Sequence, residues 1–148
     1  EERIQNLREK AAQLGVGERI FFHGQVSPRE VRAYLADAAV AVLPLTQDLI
    51  SASFTSPLKL FEYMAARVPI VASDLPSTRE VLASGKNALL VPANDPRALG
   101  EGLRKLLEDR PFAESLARKA YEDVKEYTWA KRAQKIVQFL RSLGRRGP

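Results

Sequence analysis

The sequence predicts an α/β fold built on a doubly wound parallel sheet. Short apolar runs alternate four times with segments of helical periodicity, and each run is apolar along its length instead of at every second position. Uninterrupted apolar strands of this kind are typical of parallel sheets whose two faces are both covered by helices. The predicted strands are Arg19–Gly24, Val40–Leu45, Pro69–Ser73 and Ala88–Pro92.

Start signals define the helices between these strands. Ser27 and Glu30 have the spacing of a capping box, and this predicts a helix that runs to about Ala38. Ser56 followed by a proline predicts the next helix start, and Asp95 followed by a proline predicts another. The region from about Pro111 to Leu143 is predicted to be helical, with a break near Tyr127 to Trp129.

Composition favours one globular domain with a buried core. The chain has 148 residues, 45% of them hydrophobic, and no apolar run of the length that spans a membrane. It has no cysteine, which excludes disulfides, thiolate metal sites and a cysteine nucleophile. We therefore expect a cytoplasmic protein. No histidine and carboxylate cluster has the spacing of metal ligands, so we also expect no metal and no other cofactor.

The net charge of +5 is concentrated at the C-terminal end. No acidic residue follows Tyr127, whereas six basic residues do: Lys131, Arg132, Lys135, Arg141, Arg145 and Arg146. A solvated helix face and a basic tail account for this pattern. A weak contact with an anionic membrane surface, which would make the protein peripheral to the inner membrane face, stays open as an alternative. We expect no nucleic-acid partner.

The helix that begins at Ser56 points its N-terminus at the carboxyl edge of the sheet, where ligands of open parallel sheets bind. Pro57 has no N–H, so the backbone N–H groups of Leu58 and Lys59, with the Lys59 ammonium, are available to an anion. Glu62 follows on the same face, about 6 Å along the axis from Leu58. A carboxylate there can accept hydrogen bonds from both hydroxyls of a ribose. This arrangement fits a nucleoside diphosphate.

Plainer interpretations stay open. Lys59 and Glu62 are three residues apart and could form a surface ion pair worth a few tenths of a kcal/mol. His23, the only histidine, either lines the nucleotide edge or has a structural role. The rival function is a non-catalytic, flavodoxin-like binding module that docks on a partner through its basic C-terminal helix.

The stretch SPLKLFEYMAARVPIVASDLPSTREVL, followed by GKNALLVPANDPRALGEGLRKLL, resembles the C-terminal, nucleotide-sugar-binding domain of glycosyltransferase family 4. The preceding segment GERIFFHGQVSPREVRAYLADAAVAVLPL and the ending YTWAKRAQKIVQFL resemble the same domain, so the likeness covers nearly the whole chain. The resemblance implies a Rossmann-like domain of a GT-B-type enzyme. It also implies a retaining transferase that moves a sugar from a nucleoside-diphosphate sugar to a hydroxyl acceptor.

The resemblance also assigns expected roles to individual residues. It implies that Glu62 holds the donor ribose and that the Leu58 and Lys59 amides meet the diphosphate, on a helix capped by Ser56. It places His23 and Gly24 beside the nucleobase. These six residues are the predicted donor-binding set, and no catalytic residue is predicted within the chain.

Three positions depart from the family pattern. Phe54 stands eight positions before Glu62, where the family has the first glutamate of a paired-glutamate motif, which contacts the transferred sugar; Glu62 matches the second. Arg67 and Ala88 stand where the family customarily has glycine.

The resemblance further implies that the chain is part of a longer enzyme. The family's domain normally opens with two more strand–helix stretches, and a separate N-terminal domain binds the acceptor. We therefore expect residues 1–148 to be a single partial donor-binding domain, with an α/β core over 1–126 and a C-terminal helix and basic tail over 127–148. Alone it should be inactive, and the acceptor domain or another chain would complete its sheet.

Overall fold

The computed structural model of the protein describes residues 2–48 and 58–144. Its elements are α1 Glu2–Gln13, a 3-10 turn Gly17–Arg19, α2 Pro28–Asp37, β1 Ala41–Leu43, α3 Leu58–Ala65, β2 Ile70–Asp74, α4 Pro76–Arg79, β3 Leu89–Pro92, α5 Pro96–Glu108, α6 Arg110–Val124 and α7 Trp129–Gly144. Two compact units make up the chain, Glu1–Val31 and Arg32–Pro148. The division into an α/β core and a C-terminal helix stays a prediction.

The second unit contains the predicted parallel sheet. β1 pairs with β2 and β2 pairs with β3, both in parallel, so the strand order is β1–β2–β3. Val42 lies opposite Val71, and Ala72 lies opposite Leu90. Three of the four predicted strands are confirmed to within two residues at each end.

Both faces of β2 are buried, as a doubly wound sheet requires. Ile70 and Ala72 face a cluster that includes residues of α3 and α6, whereas Val71 faces a second cluster with residues of α5 and α6. The helix residues of the two clusters are Leu60, Met64 and Ala120 on the first side and Leu106, Ala113 and Leu116 on the second. Because successive side chains of a strand point to opposite faces, a strand covered on both sides needs an apolar residue at each position.

The predicted helix starts are confirmed where the structure describes them. Ser27 N donates to Glu30 Oε2 over 2.7 Å, and Glu30 N donates to Ser27 Oγ over 3.3 Å, which is the capping box read from the sequence. Asp95 caps α5 by accepting a hydrogen bond from Ala98 N over 2.9 Å. The predicted break after α6 is also present, since α6 ends at Val124 and α7 begins at Trp129.

The first predicted strand, Arg19–Gly24, is wrong. No strand ladder includes residues 20–24 in the described part of the chain. Arg19 belongs to the 3-10 turn, and Gly24 has a left-handed φ of +66°. Only residues 20–23 of the predicted strand are therefore left for an extended backbone. A strand also needs a neighbour for its backbone groups. Without one the apolar side chains stay exposed, and Phe21 is 75% exposed.

None of the helices in the described ranges is both long and apolar enough to cross a bilayer.

Candidate functional site

α3 carries three of the predicted site residues. Leu58 and Lys59 open the helix and Glu62 follows one turn later, all exposed. Leu60 and Met64, four residues apart, are almost completely buried against the sheet. Their burial fixes the rotation of α3, so Lys59 and Glu62 are on the solvent side of the helix.

Lys59 and Glu62 do not pair with each other. Each ion pair found among the described residues uses other partners, so the surface ion pair considered from the sequence is absent. Glu62 instead affects the neighbouring Tyr63. Burial raises the pKa of the Tyr63 hydroxyl, and the negative charge of Glu62 raises this pKa further. The start of α3 therefore presents a cation and a carboxylate about one turn apart, both open to a ligand.

Two residues of interest lie outside the described residues. These are Ser56, the predicted cap of α3, and Phe54, which replaces the family's first glutamate. Their predicted roles stay predictions.

A cavity of about 330 Å³ adjoins the first turns of α3. Leu58 and Phe61 form one side of it, and the Phe61 ring lies 5.2 Å from the Tyr127 ring. The segment between α6 and α7 and the first turns of α7 form the other side, with Glu126, Tyr127, Thr128, Trp129, Arg132 and Lys135. The sequence does not reveal this proximity, because α3 and α7 are far apart along the chain.

A second cavity, of about 290 Å³, lies at the carboxyl ends of the three strands. Leu45, Ser73 and Pro92 line it, and these are the strand ends that the sequence predicts to share one edge. Its polar lining includes Thr46, Asn94 and Asp95. Sequence reasoning named Asp95 only as a helix cap and assigned none of the three residues to a site, although each follows shortly after a predicted strand.

His23 and Gly24 belong to the first unit. The His23 ring stacks on Phe21 with 6.5 Å between ring centroids, and both residues line a cavity of about 490 Å³. The Arg8 guanidinium lies 5.7 Å from the centre of the Phe22 ring in the same cavity. Gly24 has no crowding near the position of a Cβ, so its positive φ is what favours glycine there.

Within residues 2–48 and 58–144, no group of three or more histidine, cysteine, aspartate or glutamate side chains could hold a metal ion. The expectation that the protein uses no metal and no other cofactor stays a prediction.

The chain matches the family described as "Glycosyl transferases group 1" over residues 1–109, about three quarters of its length. It belongs to this family. The recognition made from the sequence is thereby confirmed, and so is the expected α/β fold of the GT-B glycosyltransferases.

Curated relatives of this group 1 glycosyltransferase chain include proteins of Corynebacterium urealyticum and Mycobacterium leprae. It is 30% identical over 142 residues to the D-inositol 3-phosphate glycosyltransferase of Corynebacterium urealyticum, covering 96% of this chain and 32% of that protein. It is 34% identical over 143 residues to the phosphatidyl-myo-inositol mannosyltransferase of Mycobacterium leprae, covering 97% of this chain and 36% of that protein. The chain thus spans about a third of the length of these relatives.

Solved structures show the same fold. Sucrose-phosphate synthase from Thermosynechococcus elongatus is 26% identical, with a TM-score of 0.79 over 99% of this chain and 35% of the solved one. HepE from Anabaena, solved in complex with UDP-glucose, is 18% identical, with a TM-score of 0.80 over 94% of this chain and 36% of the solved one.

Proposed function

We propose that the chain is the donor-binding part of a retaining glycosyltransferase, which moves a sugar from a nucleoside-diphosphate sugar to a hydroxyl acceptor. The observation that carries this proposal is the start of α3, where Lys59 and Glu62 are exposed about one turn apart and neither forms an ion pair with another described residue. Family membership supports the transferase class. The ligand class follows that of HepE, which shares the fold and has been solved with UDP-glucose.

Each side chain in the proposal has a distinct task. The N–H groups of Leu58 and Lys59 lie in the first turn of α3, where backbone N–H groups have no partner within the helix. Together with the Lys59 ammonium they attract the diphosphate. Glu62 accepts hydrogen bonds from the ribose hydroxyls one turn further on. His23 and Gly24 lie beside the nucleobase, and Ser56 caps the helix. The enzyme acts in the cytoplasm, and this reaction scheme includes no metal ion.

The acceptor in this proposal binds to the rest of a longer protein. The chain spans about a third of its relatives' length, and rate enhancement by a two-substrate enzyme depends on holding both substrates in one orientation. We therefore expect the 148-residue chain to turn over no nucleotide sugar by itself. Inositol phosphates are the first acceptors to try with the full-length enzyme, since inositol compounds appear in the names of both relatives.

Calorimetry on the full-length enzyme tests the role of Glu62. Charge-assisted hydrogen bonds contribute about 1.5–3 kcal/mol, so Glu62→Gln should weaken the binding of UDP or GDP by roughly ten- to a hundredfold. The melting temperature should not change, because the side chain is exposed. The matched control is Glu114→Gln, which makes the same charge change at an exposed position of α6 and should leave binding unaltered.

Equal affinities of wild type and Glu62→Gln for both nucleotides would contradict the ribose-binding role. Turnover of a nucleotide sugar by the purified 148-residue chain would contradict the proposal that the acceptor binds to a different part of a longer protein.

A further inference from the structure

Asp74 and Arg79 form an ion pair with two hydrogen bonds at the carboxyl end of β2, the middle strand of the sheet. Arg79 Nε donates to Asp74 Oδ1 over 2.5 Å, and Arg79 Nη2 donates to Asp74 Oδ2 over 2.7 Å. A guanidinium has more N–H groups than these two bonds require. The Arg79 side chain is also the more exposed of the pair, at 66% against 29% for Asp74. The pair therefore holds an oriented guanidinium at this edge of the sheet.

Buried hydrogen bonds fix the backbone that carries this pair. Thr78 is completely buried. Its Oγ1 donates to Ser73 O over 2.7 Å and accepts from Leu75 N over 3.1 Å. These bonds connect the residues on either side of Asp74 to α4, the short helix that ends at Arg79. The two partners of the ion pair thus start from a braced backbone, and the carboxylate then limits the direction of the guanidinium.

The pair lies on the same face and at the same edge of the sheet as the start of α3. Ile70 and Ala72 contact the core cluster that includes the buried residues of α3, and the alternation of strand side chains places Asp74 on that face. α3 connects β1 to the parallel strand β2, so it runs back from the carboxyl edge. Lys59, at the start of α3, therefore shares an edge and a face with Arg79.

We propose that Arg79, oriented by Asp74, binds the distal phosphate of the donor diphosphate beside Lys59. This inference rests on the proposed function and adds to it a residue from the connection between β2 and β3. Glu62, the proposed ribose ligand, lies about one turn into α3, whereas Arg79 lies at the edge where α3 begins. Arg79 is therefore matched with the phosphate that is farther from the ribose.

The chemistry of the two side chains suits this task. A planar guanidinium can donate parallel hydrogen bonds to two oxygens of one phosphate, which the ammonium of a lysine cannot do in a fixed geometry. Because Asp74 already orients the guanidinium, less conformational freedom is lost when the phosphate binds. In this scheme Arg79 contacts the donor, and Asp74 is a positioning residue that acts through Arg79.

The test measures how binding depends on the distal phosphate. Titration calorimetry of the full-length enzyme compares UDP with UMP, or GDP with GMP, according to the base that the wild type binds. Arg79→Gln should weaken diphosphate binding by roughly tenfold or more, the factor expected for hydrogen bonds between charged groups. It should weaken monophosphate binding less than about threefold, because attraction between exposed charges at longer range is screened by salt.

Three further variants separate phosphate binding from loss of an ion pair. Arg79→Lys keeps the charge without the two parallel donors, and Asp74→Asn keeps Arg79 with a weakened hold on its direction, so both should give intermediate losses for the diphosphate. Arg97→Gln is the matched control, since it breaks an exposed arginine–carboxylate pair with Glu101 on α5, which packs on the other face of the sheet. It should leave both affinities unaltered. All titrations are run well below the melting transition of each variant.

Unchanged diphosphate affinity in Arg79→Gln would overturn the inference, as would equal losses for the diphosphate and the monophosphate. If Glu62→Gln weakens nucleotide binding and Arg79→Gln does not, this inference fails while the proposed function stands. A wild-type enzyme that binds neither UDP nor GDP would overturn both. A raised KM for a phosphorylated acceptor, with diphosphate affinity unchanged, would also overturn the inference and assign Arg79 to the acceptor instead.

Discussion

Asn87 Nδ2 donates a hydrogen bond to Asp123 Oδ2 over 2.9 Å, which joins the turn before β3 to the last turn of α6. Asn87 is 4% exposed. Its Oδ1 accepts from Ala83 N over 2.7 Å and its Nδ2 also donates to Val81 O. Burial acts to raise the pKa of Asp123, but hydrogen bonds from Lys119 and Asn87 outweigh it, so the carboxyl pKa is lowered.

Asn87→Asp should destabilise the fold, because it replaces a donor amide with a carboxylate facing Asp123. Losing a buried hydrogen bond and leaving its partner unsatisfied costs about 1–3 kcal/mol. The deficit should shrink as the pH falls, since protonation of either carboxyl removes the repulsion and restores a donor. Urea denaturation at neutral and acidic pH measures both effects.

Gln134→Glu is the matched control for Asn87→Asp, with the same charge change at an exposed position, and should stay within about 0.5 kcal/mol of wild type. Wild-type stability of Asn87→Asp at neutral pH would show that the amide is not a structural link.

Asp74 and Arg79 should give the protein an acid-dependent component of stability. Arg79 Nε lies 2.5 Å from Asp74 Oδ1, and Arg79 Nη2 donates to Oδ2 over 2.7 Å. These hydrogen bonds lower the pKa of Asp74. A carboxyl with a lowered folded-state pKa stabilises the fold above its unfolded pKa of about 3.9, and this contribution is lost as the pH falls through the folded-state pKa.

Asp74→Asn should therefore lower the free energy of unfolding by about 0.5–1 kcal/mol at neutral pH, since the Arg79 side chain is largely exposed. The difference should shrink as the pH falls through the lowered folded-state pKa of Asp74. Chemical denaturation across the acidic range measures it, with Asp37→Asn at an exposed position as control. A difference that does not depend on pH would rule out the ion pair as its source.

At Gly102, α5 packs tightly against side chains of the sheet. A Cβ at this position would lie 3.1 Å from Val91 Cγ1 and 3.2 Å from Val71 Cγ1. Gly102→Val should destabilise the fold by about 1–3 kcal/mol, because overpacking forces side chains or backbone to shift.

Gly100→Val, on the same helix, is the control for Gly102→Val. Nothing lies within 4 Å of a Cβ at Gly100, so this variant should be neutral or slightly stabilising through the better helix propensity of valine. Thermal denaturation compares the stabilities of the two variants. Equal melting temperatures would show that the helix–sheet contact is not tight.

Arg67 ends the turn after α3 with a φ of +57°, the conformation expected where the family customarily has glycine. Its guanidinium lies 4.3 Å from the centre of the Tyr121 ring, a contact that offsets part of the backbone cost. Arg67→Ala loses this contact and keeps the strain, whereas Arg67→Gly loses the contact and relieves the strain. Arg67→Gly should therefore be the more stable of the two by about 1 kcal/mol. The reverse order in urea denaturation would contradict a strained backbone at this position.

The sequence by itself determined the elements whose signals are local. Ser27 and Glu30 form their capping box within one helical turn, and Asp95 caps α5 through a residue three positions away. Apolar runs predicted parallel strands, because a strand covered on both faces has no solvent-facing position. Helical spacing likewise predicted that Leu58 and Glu62 share one side of α3.

Only the tertiary structure decided the features that depend on a distant partner. Arg19–Gly24 has the composition of a strand, but a strand exists through hydrogen bonds to a neighbour, and no ladder includes residues 20–24 in the described part of the chain. Asn87 and Asp123 are 36 residues apart, and no local sequence pattern in either segment predicts the hydrogen bond between them. The cavity between α3 and α7 arises in the same way, because packing brings together side chains that no sequence spacing connects.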